Sequence, residues 1–227
     1  PILRKDIILR GRLIERLSTG LWQPGGFVRK LTLVSAPAGF GKTTLVSDWL
    51  SMKANATSVT AISSLPFQAA WLSLDESDND PARFLAYFIA ALSQIQAGFG
   101  ERTQSILKLP QPPPPEIILT SLVNEIFGLS GLFILALDDY HVIHSLQIHQ
   151  QLAFILDHLP ANLHLVILTR DDPLLPVARL RARGQLLELR QDDLRFQLEE
   201  IAEFLHRETG QSLGKENIEA LEQRTEG

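Results

Sequence analysis

The chain contains no cysteine. Disulfides and thiolate metal centres are therefore excluded, and the composition is compatible with a reducing, cytoplasmic setting. No apolar run approaches the roughly 20 residues a membrane-spanning helix needs, and no signal-peptide pattern is evident, so no membrane partner is expected. Positive charge is not in excess either. Lys and Arg number 21 against 26 Asp and Glu, leaving a formal net charge of −5. A basic footprint for nucleic acid is missing, so direct DNA binding by this segment is not expected. No internal repeat and no complete helix-turn-helix is visible.

What is present is 227 residues of ordinary apolar content, enough for one large domain or one plus a fragment. The first residue is Pro1, and residues 221–227 stop inside or just after a helical pattern. We therefore expect a piece of a longer polypeptide.

The most informative stretch runs Ala36-Pro37-Ala38-Gly39-Phe40-Gly41-Lys42-Thr43-Thr44. It follows an apolar run at 31–35 that reads as a buried strand. It precedes Leu45, Val46, Trp49 and Leu50, spaced for one helix face. Strand, glycine-rich loop, Gly-Lys-Thr, helix is the phosphate-binding P-loop in its proper context. Gly39 and Gly41 let successive backbone N–H groups turn inward onto phosphate oxygens. The helix opening near Lys42 adds the positive end of its dipole. Ala38, Gly39, Phe40, Gly41, Lys42, Thr43 and Thr44 are thus the candidate phosphate cradle. Lys42 can reach the β- and γ-phosphates, and the Thr43 hydroxyl can ligate Mg²⁺. Ala36 departs from the pattern, which has its first Gly there.

Strand and helix patterns alternate along the chain, which predicts an α/β fold with a mostly parallel sheet. After the first strand and the P-loop helix, residues 54–68 read as a Ser/Thr/Ala-rich loop. The second strand is expected at 70–74. Asp80-Pro81 supplies a helix N-cap and a proline at the first helical position. Phe84, Leu85, Phe88, Leu92 and Ile95 mark the apolar face that follows. The proline-rich stretch 110–115 reads as a stiff, extended spacer. A helix at about 116–129, a third strand at 133–137, a helix at 146–158 and a fourth strand at 163–168 follow. A short helix at 176–183 precedes a fifth strand at 186–189. From 197 onward the pattern is helical only. We expect a P-loop nucleotide-binding domain over 1–195 and the truncated start of a helical subdomain over 196–227.

The third strand runs into Asp138-Asp139 and reads as a Walker B element. Asp138 is expected to hold Mg²⁺ through water, and Asp139 to act as general base or positioner of the attacking water. Arg170 ends the fourth strand, where a guanidinium can report a third phosphate. Its alternative is a surface ion pair with Asp171 or Asp172. Asp75, Asp78, Asn79 and Asp80 resemble a metal cluster in composition. They lack calcium-loop spacing and its terminal Glu, and capping explains them better. His141 and His144 read as structural or pocket-edge residues. Arg179, Arg181 and Arg183 read as a solvated basic strip, or as one facing phosphates or a neighbouring subunit.

In combination these segments are specific. The P-loop, Trp71-Leu72-Ser73-Leu74-Asp75 with Asp78-Asn79, Leu137-Asp138-Asp139-Tyr140-His141, Leu168-Thr169-Arg170 and the Arg-rich residues 180–188 occur in that order. The chain resembles, over 9–227, the nucleotide-binding domain of MalT-type STAND proteins, signal-transduction ATPases of the AAA/NB-ARC-like P-loop class. The expected sheet order, counting the five strands along the chain, is 5-1-4-3-2. The segment Leu9-Arg10-Gly11-Arg12-Leu13 is similar to the family's adenine-proximal element, which adds Arg12 to the cofactor contacts. The resemblance implies an ATP/ADP switch: a closed ADP form opens with an inducer and ATP for self-association, within a cytoplasmic transcriptional regulator. Sensor and effector domains are not part of this segment, and the long 54–68 loop departs from the compact family pattern. Asp139, in place of the Glu common in fast P-loop ATPases, sets its carboxylate one methylene further back, so slow turnover is expected. Two alternatives are an AAA-type remodelling ATPase, needing fast hydrolysis and an arginine finger between subunits, and a small-molecule kinase, whose lid has no counterpart here.

Overall fold

A computed structural model describes residues 10–54 and 67–209. The 54–68 loop and the end of the expected helical subdomain therefore lie largely outside the described residues. The described residues open with α1 (Gly11–Ser18) and a two-stranded hairpin, β1 (Trp22–Gln23) and β2 (Gly26–Phe27). The P-loop unit is β3 (Leu31–Ser35) and α2 (Lys42–Ala54). Next come β4 (Phe67–Ser73), α3 (Pro81–Ser93), α4 (Glu101–Leu107), α5 (Pro115–Phe127), β5 (Leu132–Asp138) and α6 (Leu146–His158). The last described elements are β6 (Leu163–Thr169), α7 (Val177–Ala182), β7 (Leu186–Arg190), α8 (Gln191–Leu194) and α9 (Leu198–Thr209).

The five-stranded sheet is parallel in the order β4-β5-β6-β3-β7. In terms of the five expected strands this is 2-3-4-1-5, the expected order read from the other edge. The central strands β3, β5 and β6 are buried almost end to end, which is why they read as continuous apolar runs. Alternate residues feed two cores. Leu31, Leu33, Leu135, Leu137, Leu165 and Ile167 pack with α3, α5 and α6 on one face. Val34, Ile134, Ala136, Val166 and Leu168 pack with α1 and α2 on the other, around Trp49.

Local signals explain the helix starts. The Asp80 carboxylate accepts from the Arg83 N–H at 2.8 Å and Pro81 takes the first turn of α3. Pro115, expected in the spacer, opens α5, where its missing N–H costs nothing. Residues 67 and 68, expected in the loop, instead begin β4, because their backbone pairs with Leu132 and Phe133 of β5. The register sets Ser35 beside Thr169 and Arg190, and Ser73 beside Asp138. The P-loop, Asp138 and Arg170 therefore all leave the sheet at its C-terminal edge, where open α/β sheets bind ligands.

Candidate functional site

The loop 36–41 turns from β3 into α2 with Gly39 at φ 90° and Gly41 at φ 71°. Both lie in the left-handed region that glycine enters without penalty. A Cβ at either position would meet nothing within 4 Å, so their need is conformational and the loop faces open space. Ala36 is different. It is buried among the core residues beneath the loop, and its N–H bonds to the Thr169 carbonyl at 3.3 Å. Only Asp139 among the described non-glycine residues has a positive φ, so Ala36 needs no glycine. That is the physical reason the departure from the pattern is tolerated.

The Lys42 amine folds back over its own loop, donating to the carbonyls of Ala36 at 2.6 Å and Pro37 at 2.8 Å. Burial lowers its pKa, as does the nearby Arg170 charge, while Asp138 and Asp139 oppose the shift. Thr43, next on the helix, donates its hydroxyl to Asp138. Asp138 is 5 % exposed. Burial raises its pKa and the Asp139 charge raises it further, against the lowering by the Thr43 hydrogen bond and Lys42. A hydroxyl and a carboxylate are hard oxygen donors, suited to Mg²⁺ held by few protein ligands and several other oxygens. Among the described residues no group of three or more His, Asp or Glu is placed to hold a metal by itself. The chain's part in such a site would be Thr43 and Asp138.

Asp139 follows in the left-handed conformation, φ 56° and ψ 33°, and its N–H bonds to Asp138 Oδ1 at 2.9 Å. This geometry turns the Asp139 carboxylate out of the buried strand into solvent. His141 lies behind it, Nδ1 3.9 Å from Asp139 Oδ1. That nitrogen is buried without a hydrogen-bond partner among the described residues. Burial lowers the His141 pKa, and so do the Arg170 and Lys42 charges. Arg170 is thus electrostatically close to both Lys42 and His141. Among the described residues it is exposed and makes no hydrogen bond or ion pair of its own. Asp172 is taken by Arg190 instead, and the Asp171 carbonyl accepts from Thr169 at 2.9 Å. Beside these groups a cleft of about 240 Å³ is lined by His141, His144, Asp171 and Leu174 among others, so both histidines are pocket-edge residues.

Arg12 is engaged elsewhere. Its guanidinium donates to the carbonyls of Asp193 at 2.9 Å and Arg195 at 2.6 Å, and pairs with Glu200 at 3.4 Å. It borders a second cleft of about 520 Å³ lined by Asp192, Phe196 and Gln197. Arg10 was not singled out in the sequence. It is buried, bonds to the carbonyls of Leu194 and Arg195, and lies over the Phe196 ring at 4.4 Å. No periodicity marks such a residue, because its partners are backbone atoms about 185 positions away. The expected basic strip resolves into ion pairs, Arg179 with Asp157 and Arg181 with Glu188.

No family model matches the chain. The HTH-type transcriptional regulator MalT of Yersinia enterocolitica is 35% identical over 204 residues, covering 90% of this chain and 20% of MalT. The chain thus spans about a fifth of the length of the curated relatives it matches. Among solved structures, the ORC2 protein of Aeropyrum pernix in its ADP form superposes with a TM-score of 0.56 at 16% identity, over 92% of this chain and 54% of that one. Cdc6p from Pyrobaculum aerophilum gives a TM-score of 0.54 at 16% identity, over 91% and 51%. At such identities the likeness is one of fold. Sequence relationship and fold together make the chain a MalT-like P-loop region whose fold is like that of the ORC2 and Cdc6p structures.

Proposed function

We propose that this region binds ATP and ADP with Mg²⁺ and serves as the slow hydrolytic switch of a MalT-type transcriptional regulator. The observation that carries the reading is the convergence at one sheet edge of the P-loop, the Thr43–Asp138 pair and the exposed Asp139 and Arg170. In this reading the backbone of residues 38–44 and the Lys42 amine hold the phosphates. Bound Mg²⁺ would supply charge neutralisation at the phosphate oxygens, with Thr43 and Asp138 as its protein ligands. Asp139 accepts a proton from the attacking water, and Arg170 reads the γ-phosphate. Arg12 belongs to the adenine end. The ADP form of Aeropyrum pernix ORC2 supports an adenine nucleotide.

At the level of the whole protein, the ATP-bound state self-associates in the cytoplasm after an inducer engages a sensor outside this segment. Residues 196–227 begin a helical subdomain, and this segment does not contact DNA itself. Among the described residues no helix is long and apolar enough to cross a membrane. The test is direct. Nucleotide released on denaturing the purified protein is identified, and phosphate release is followed with and without Mg²⁺. Recovery of ADP or ATP with slow, Mg²⁺-dependent turnover supports the reading. Absence of any adenine nucleotide, together with no measurable ATP or ADP affinity, refutes it.

A further inference from the structure

The acidic stretch around Asp75–Asp80 has a structural use that centres on its one amide. A 3-10 turn at Glu76–Asn79 is closed by a reciprocal pair: the Asp75 carboxylate accepts from the Ser77 N–H at 2.7 Å, and the Asp78 carboxylate accepts from the Asp75 N–H at 2.9 Å. Arg83 of α3 then pairs with Asp78 at 3.3 Å. Asn79 is thereby held from both sides, with Asp80 capping α3 immediately after it.

The Asn79 side chain uses all of this rigidity on another segment. Its Nδ2 donates to the Val142 carbonyl at 2.8 Å and to the Glu76 carbonyl at 3.1 Å. Its Oδ1 accepts from the N–H groups of His144 at 2.7 Å and Ser145 at 3.0 Å. Ser145 makes no side-chain cap of its own for α6. The carboxamide therefore serves the three backbone groups that end the turn after Asp138. Upstream, the Leu74 N–H bonds to the Asp138 carbonyl at 3.1 Å. Residues 139–141 thus hang between two anchors, the sheet at Asp138 and Asn79 at Val142, with the buried Tyr140 hydroxyl bonded to His149 at 2.9 Å as a third. Asp139, exposed, and His141, half-buried, are the other two side chains of that span.

We propose, resting on the reading of Asp139 given above, that Asn79 is a positioning residue for hydrolysis, fixing the backbone that aims Asp139 and His141. An amide is required because the site needs donors and acceptors at once. Asn79→Asp keeps the shape and the acceptor but sets a carboxylate oxygen against two carbonyls. Asn79→Ala removes all four bonds. The phosphate cradle at 36–44 shares none of these contacts.

The experiment measures kcat and KM for ATP, ADP affinity, and backbone amide exchange in the purified protein and both variants. In each variant kcat falls by about tenfold or more while KM and ADP affinity stay within about threefold, the split expected for a group that acts on the chemical step. Exchange quickens at 140–145 and not in α2. Wild-type turnover in Asn79→Asp overturns the proposal, as does a parallel loss of ADP affinity and turnover, which marks a merely structural role. If the unaltered protein binds nucleotide but releases no phosphate, the hydrolytic reading fails. Exchange then decides: unchanged rates at 140–145 overturn the placement of Asn79, and faster rates uphold it.

Discussion

The Thr43 hydroxyl donates to Asp138, 3.0 Å from Oδ2 and 3.3 Å from Oδ1, between residues 95 apart in sequence. The helix that opens on the P-loop and the strand that carries the acidic pair are thereby tied at one point. Asp138→Asn keeps an acceptor for Thr43 and removes the charge. The dependence of nucleotide affinity on Mg²⁺ is expected to be largely lost, measured as the ratio of ATP affinities with and without the metal. Asp139→Asn is well suited to its site, because Asn tolerates the left-handed backbone there. It should spare binding and stop phosphate release. Wild-type turnover in that variant removes Asp139 from the chemistry.

Lys42 has two tasks in the structure, closing its loop on Ala36 and Pro37 and presenting charge to the site. Lys42→Ala loses a charge-assisted contact of roughly 1.5–3 kcal/mol, so ATP and ADP affinity should fall about tenfold or more. Calorimetric titration of the folded variant checks this. Unchanged affinity for both nucleotides contradicts the cradle.

Arg170 stands exposed at the end of β6 without an ion pair among the described residues, and it lowers the pKa of Lys42 and His141. Arg170→Ala should weaken ATP far more than ADP. Equal loss for both would assign it a structural role, and no loss for either would take it out of the site. Removing its charge should also raise the His141 pKa, which an NMR titration reads directly.

His164 gives a pH prediction of a different kind. It lies on β6 with its ring wholly buried, where its Nδ1 faces the Arg29 carbonyl at 2.8 Å and its Nε2 lies 2.9 Å from the Thr32 hydroxyl of β3. A carbonyl can only accept, so Nδ1 carries the proton and Nε2 accepts from Thr32. Burial holds its pKa down to about 4 from an ordinary value of 6.5. The unfolded chain takes up this proton first as pH falls. Stability is therefore undiminished by His164 above about pH 6.5 and declines between there and about pH 4, by on the order of 3 kcal/mol. Denaturant titrations at pH 7 and pH 4.5 measure the decline, and a His164 ring titrating near 6.5 in the folded protein contradicts it.

Several elements are legible in the sequence because their physics is local. Asp80-Pro81 announces the start of α3, and the glycines at 39 and 41 announce a backbone that only they adopt easily. The runs in β5 and β6 are apolar on both faces because both faces are covered. The hairpin Trp22–Phe27 and the helix at Glu101–Leu107 carried no comparable signal, being too short to show a period. Asn79 was legible as a residue and illegible as a contact. Its value lies in Val142, His144 and Ser145, whose backbone groups have no sequence identity to read. The same holds for Arg10.

Arg10 and Arg12 reach their partners across 181 to 190 residues. Closing so large a loop costs chain entropy that shorter contacts do not, and contacts of this span form late as the chain orders. Interactions absent from the folding transition state act on the escape rate from the native basin rather than on the rate of reaching it. We expect the clasp of Arg10 and Arg12 on Glu200 to act as a kinetic lock. Glu200→Gln should hasten unfolding while leaving refolding nearly as fast as before, so that the lifetime of the assembled fold is set where its most distant segments meet.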